Sequence, residues 1–97
     1  MTTPVRFQPQ AATEVLEVHG WYDERRAGLG AEFGAAVDTL VGRIADNPLA
    51  FPLARGEIRR ATLHRFPYAI YFRLSGDEIV VLAVHGRQDP RRWQTRT

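Results

Sequence analysis

The residues best suited to chemistry lie in one run, His85-Gly86-Arg87, which follows directly on the apolar stretch Ile79-Val80-Val81-Leu82-Ala83-Val84. Histidine exchanges protons near neutral pH, so His85 is a candidate general acid, with closure of the strand by a backbone hydrogen bond as its plain structural alternative. Arg87 sits two residues on and points to the same side of an extended chain. Its guanidinium can hold a phosphate and stabilise charge developing in phosphoryl transfer, or pair with Asp89. Behind them Asp89-Pro90-Arg91-Arg92-Trp93 adds cations and a large aromatic, residue types that anchor interfaces, and Trp93 is expected to pack back onto the sheet. Arg59, Arg60 and Arg65 lie on an alternating segment upstream, where Arg59 and Arg65 would share a face and line a basic concavity. Tyr68 and Tyr71 can stack on bases. Tyr68, however, alternates with Ile70 and Phe72 and reads as core, as does Trp21-Tyr22. The sequence shows no paired carboxylates, no Gly-rich phosphate loop after a strand, and no nucleophile beside a base.

The elements that must position these groups follow from periodicity. Val5-Arg6-Phe7 reads as a short strand stopped by Pro9. Ala11, Val15, Val18 and Tyr22 line one face of a first helix, with Glu14, Glu17, Asp23 and Glu24 expected to face water. Gly28-Leu29-Gly30 breaks it. A second helix buries Phe33, Val37, Leu40, Val41 and Ile44 and ends at Asn47-Pro48, because proline cannot continue the hydrogen-bond ladder. Ala50 to Gly56 reads as loop, punctuated by Pro52 and Gly56. From Glu57 the period drops to two: a strand from Ile58 to Arg65, another from Tyr68 to Leu74, a Ser75-Gly76-Asp77 hairpin turn, and the continuously apolar Ile79 to Val84, suited to a central strand buried on both faces. The order is βααβββ. It predicts an α+β domain in which a helical hairpin packs on a mostly antiparallel, four-stranded twisted sheet.

Composition limits the functional classes. Ninety-seven residues make one domain, spanning 1–97, with 44% hydrophobic and 25% charged residues, as in ordinary globular proteins. There is no cysteine, no apolar run of transmembrane length and no signal-peptide pattern after Met1, so a cytoplasmic protein without metal or other cofactor and without membrane association is expected. All thirteen basic residues are arginine. Through Ala54 four of them stand against seven acids, a net of −3; from Arg55 onward nine stand against four, a net of +5. A basic C-terminal half predicts an acidic or polyanionic partner on that side.

The run Phe66-Pro67-Tyr68 before an aromatic strand, then the apolar strand, His85-Gly86-Arg87, Asp89-Pro90 and Trp93, resembles the RelE/ParE toxins of bacterial type II toxin–antitoxin systems. Trp21-Tyr22, Gly28-Leu29-Gly30, Phe33 and Asn47-Pro48 extend the resemblance over nearly the whole chain. It implies the same βααβββ fold, inhibition of growth, and a cognate antitoxin whose segment folds on the toxin surface. It implies no sequence-specific DNA binding. For the target it leaves two choices. The ribonuclease members cut ribosome-bound messenger RNA with clustered basic groups and a terminal Tyr or His, roles that only His85, Arg87 and one strand arginine could fill here. The ParE-like members are associated with poisoning DNA gyrase, and the His-Gly-Arg run with the following Asp-Pro looks more like them. On that side Arg59, Arg60, Arg65, Arg91, Arg92 and Trp93 would bind partner or target. A non-toxic remnant that only binds a partner is the further alternative.

Overall fold

The computed structural model describes residues 2–86. In it Val5–Phe7 forms strand β1, and Pro9 opens helix α1 (Pro9–Arg25) at the first helical position, where the missing N–H costs nothing. Helix α2 runs from Leu29 to Asp46 and is followed by one 3₁₀ turn at Pro48–Ala50. Strands β2 (Leu53–Arg55), β3 (Ile58–Thr62), β4 (Tyr68–Ser75) and β5 (Glu78–Gly86) complete the described chain. No helix among the described residues is long and apolar enough to cross a membrane.

The sheet order is β1-β5-β4-β3-β2, with β1 parallel to β5 and every other pair antiparallel. Among the described residues the sheet therefore has five strands rather than the expected four. The extra one lies in the stretch read as loop. A turn at Gly56, with φ 54°, folds Leu53–Arg55 back on β3, and the carbonyl of Pro52 accepts from the amide of Arg60 at 3.0 Å. Proline there lacks a donor but keeps its acceptor, which is enough at a sheet edge. Strand β3 also stops earlier than the alternation suggested. The Leu63 amide donates to the Tyr68 carbonyl at 3.0 Å, closing a turn that puts Arg65 outside the strand. Gly76, with φ 61°, is the first of the two residues joining β4 to β5, the position where a II′ hairpin turn requires positive φ.

Both faces of the sheet centre are buried. On one, Ala11 of α1 and Phe33, Val37, Leu40 and Ile44 of α2 pack against Ile70, Phe72, Ile79, Val81 and Val84. The other gathers Ile58, Ala69, Tyr71, Val80, Leu82 and Ala83. A bulge explains how Leu82 and Ala83 come to share a face. Tyr71 pairs with Ala83 and Phe72 with Val81, so Leu82 has no opposite residue on β4. The extra residue shifts the phase, returning Val84 to the helical face.

The helices approach closely at Gly30. Its amide donates to the Asp23 carboxylate at 2.7 Å, so a side chain of α1 satisfies one of the open amides at the start of α2 and sets its charge against the helix dipole. A Cβ at this position would meet the carbonyl of His19 and come within 2.8 Å of the Asp23 carboxylate. Gly30→Ala is therefore expected to lower stability by about 1–3 kcal/mol, the usual cost of forcing atoms into a packed contact. A thermal or urea melt equal to wild type would contradict this.

Candidate functional site

The end of β5 is where the sequence places its most reactive residue, and the structure ties that residue down. Strand β1 pairs with β5 only as far as Val81; the Gln8 amide then donates to the Val81 carbonyl at 3.0 Å and the chain turns into α1. Past Val81, no strand among the described residues runs along that edge of β5. The Glu14 side chain takes the position. One carboxylate oxygen accepts from the Val84 amide at 2.9 Å, and the other meets His85 Nε2 at 2.5 Å. The His85 side chain is only 2% exposed and that of Glu14 only 7%. Glu14 was expected to face water, and the structure corrects that: it lies three residues after buried Ala11, on the side of α1 turned to β5. Arg87 lies outside the described residues, as do Arg91, Arg92 and Trp93.

Removing one partner of a buried hydrogen bond leaves the other polar group unsatisfied, which costs about 1–3 kcal/mol, and more where the group is charged. Glu14→Ala and His85→Ala should each lower stability on that scale, and the double substitution should cost clearly less than the two singles added together. Urea melts of the full cycle measure this. Strict additivity would mean the two side chains do not support one another.

The arginines do not form one basic surface. Arg59 and Arg60 point to opposite faces of β3. The guanidinium of Arg59 donates to the Phe51 carbonyl at 2.7 Å and fastens the segment before β2, whereas Arg60 is exposed on the face away from the helices. Arg65 projects from the β3–β4 turn toward α2, where it meets Glu32 at 2.7 Å. Arg26 reaches the same carboxylate at 3.2 Å. The concavity expected from Arg59 and Arg65 together is thus absent, because the strand ends before Arg65.

Hydrogen bonds from Arg65 and then Arg26 hold the Glu32 carboxyl below the usual carboxylate range. A carboxylate lowered in the folded state adds stability above its unfolded pKa and loses it as pH falls through the folded one. Wild type should therefore melt slightly higher than Glu32→Gln at neutral pH, with the two converging in acid. The group is exposed, so the difference should also shrink in high salt. A gap that stays constant from neutral to acid pH would contradict the assignment.

The aromatic residues divide. Tyr22, Phe33, Phe66 and Tyr68 form one cluster with ring centroids 5.0–6.3 Å apart. Burial, followed by the neighbouring Tyr68, pushes the Tyr22 phenol above its ordinary pKa. Tyr71 is buried on the opposite face. Trp21 differs from the core role expected of it: it is 46% exposed, with the Arg25 guanidinium stacked 3.3 Å from its ring centroid.

Between α2 and the β3–β4 turn runs an open groove of about 360 Å³, walled by Ala36, Thr39 and Leu40 on one side and Leu63 on the other, with Glu32, Arg43 and Arg65 on its rim. Its lining is mainly apolar. The α2 residues recur at helical spacing, but that spacing alone does not distinguish a groove wall from a core stripe.

No family model matches the chain, and no curated protein matches it. Solved structures do. A chain in the chromosomal ParDE toxin–antitoxin system of P. aeruginosa superposes with a TM-score of 0.78 at 18% identity, covering 88% of this chain and 96% of that one. A chain in the toxin–antitoxin complex RelBE2 of Mycobacterium tuberculosis gives a TM-score of 0.63 at 20% identity, covering 90% of this chain and 100% of that one. The chain thus shares its fold with these chains of the ParDE and RelBE2 toxin–antitoxin complexes.

Proposed function

We propose that this chain is the toxin of a type II toxin–antitoxin pair, ParE-like in action, arresting growth by binding a protein target, DNA gyrase, and neutralised by a cognate antitoxin. The observation that carries the reading is the end-to-end superposition on the chain from the ParDE system, which leaves little of either chain uncovered. The likeness to the RelBE2 chain keeps a ribosome-dependent RNA endonuclease as the second reading. That chemistry needs a proton donor within reach of the leaving oxygen. The burial of His85 beside Glu14 supports action by binding, because a side chain 2% exposed cannot meet a phosphate at the surface without leaving its carboxylate partner. A partner-binding remnant without toxicity is the third possibility, separated from the others by growth alone.

The test is inducible expression in a bacterium, with and without the product of the adjacent small open reading frame. Growth arrest, a DNA-damage response and undiminished translation are expected, all reversed by the neighbour. Because His85 is structural as well, the informative variant is a chain ending before Asp89, which removes Arg91, Arg92 and Trp93. Aromatic and arginine anchors carry most binding energy in interfaces, so this chain should fold and yet leave growth unaffected. Cleavage of ribosome-bound messenger RNA by the wild type would overturn the gyrase reading in favour of the nuclease. No arrest under any condition would overturn both.

A further inference from the structure

We infer that the outer face of α1, centred on Gly20 between Leu16 and Trp21, seats a basic helix of the protein that the toxin attacks. This rests on the toxin reading for the partner's identity and on the helix itself for the chemistry. Glycine inside a helix weakens it, so its presence there calls for a reason. At Gly30 the reason is packing, whereas at Gly20 a Cβ would meet nothing within 4 Å. Gly20 is exposed. At about 100° per residue, Leu16 lies one turn back and about 40° to one side of it, and Trp21 about 100° to the other. Both are exposed, Leu16 at 71% and Trp21 at 46%. The result is a notch without a side chain, flanked by two large apolar groups, where another backbone can come close.

Trp21 is held ready for contact. The Arg25 guanidinium stacks on its ring and donates to the Trp21 carbonyl at 3.3 Å, and Tyr22 meets the indole edge-on at 5.0 Å between centroids. An aromatic already fixed in place loses little freedom on binding, which makes it an anchor. Charge gives the sign of the partner. Glu17 and Glu24 lie within about 60° of Gly20 around the helix, are exposed, and make no ion pair with a described residue. Of the arginines that close the helix, Arg25 is stacked on the indole and Arg26 pairs with Glu32. The chain through Ala54 carries a net charge of −3. A helix crossing at Gly20, with apolar side chains against Leu16 and Trp21 and cations toward Glu17 and Glu24, thus fits in shape and charge. An acidic helix would meet like charge. The face also adjoins the segment assigned above to the same partner. Trp21 follows Glu14 by about two turns on nearly the same side of α1, and Glu14 reaches the end of β5, from which the chain continues to Arg91, Arg92 and Trp93.

The experiment uses the full chain and purified DNA gyrase, with affinity measured by calorimetry at low and moderate salt and growth followed on induction of the same variants. Gly20→Leu fills the notch, where there is room for it, and Trp21→Ala removes the anchor. Leu49→Ala, which trims an exposed leucine in the 3₁₀ turn after α2, serves as control. Each of the first two should weaken binding about tenfold or more and blunt growth arrest, while the control behaves like wild type. Wild-type binding should weaken as salt rises, because the charges on this face are exposed. Gly20→Leu should melt at or above wild type, since it removes a helix-weakening glycine, so binding lost there does not come from unfolding. It decides the matter alone if Trp21→Ala melts early. Wild-type affinity in both variants overturns the proposal and leaves the toxin reading standing. A wild type that arrests growth without binding gyrase overturns the proposal and the gyrase target, and keeps the toxin class. A wild type that binds through this face yet leaves growth untouched removes the toxin reading and leaves the docking face standing.

Discussion

The carboxylate of Glu14 does for β5 what a longer first strand would otherwise do. A buried amide without an acceptor costs about 1–3 kcal/mol, and the Val84 amide faces an edge that β1 does not reach. A carboxylate placed there has a second oxygen that must itself be held, and His85 Nε2 meets it. The two requirements are met by one side chain projecting from α1. The position at which the chain leaves the sheet is therefore set by a helix, through two contacts, and only secondarily by strand pairing. For Glu14 to reach, α1 must lie along β5, which follows from β1 entering parallel to it and from Pro9 starting the helix two residues after β1 ends.

The bulge at Leu82 is the other half of that arrangement. Counting from Ile79 and Val81 without it, His85 would fall on the helical face, among Phe33 and Ile44. With it, His85 stands opposite Ala69 and on the face away from the helices, at the margin where the Glu14 carboxylate meets the strand. One additional residue in a nine-residue strand thus decides whether the histidine enters an apolar core or a polar junction. Bulges at strand ends commonly re-aim a single side chain in this way.

Much of this fold was legible in the residues. The stripe Phe33, Val37, Leu40 and Ile44 is buried as its spacing implies, and the apolar run from Ile79 to Val84 is a strand buried on both faces. Strand β2 was not legible, because three residues between Pro52 and Gly56 are too few to reveal an alternation. Trp21 and Tyr22 were assigned together, but neighbours on a helix lie about 100° apart and only one of them can face the core. Glu14 escaped for a different reason. A glutamate on a helix reads as solvated, and what overrides this is an open edge contributed by a residue 70 positions away. The candidate site suffered most from such distances: Arg59, Arg60 and Arg65 look like one group along the chain but part company once β3 ends at Thr62.

The placement of β1 has a consequence for the birth of the molecule. Its strand neighbour is β5, so residues 5–7 must find residues 79–81 before the sheet can be finished. Pairing across that much chain is slow, since loop closure precedes any reward from contact. On the ribosome, the first strand emerges long before its neighbour exists, and the helical hairpin waits with Phe33, Val37 and Ile44 lacking the floor that β5 supplies. Nascent chains interrupted anywhere before that strand carry no completed core. The sheet and the core beneath the helices are thus completed together, once β5 has been translated.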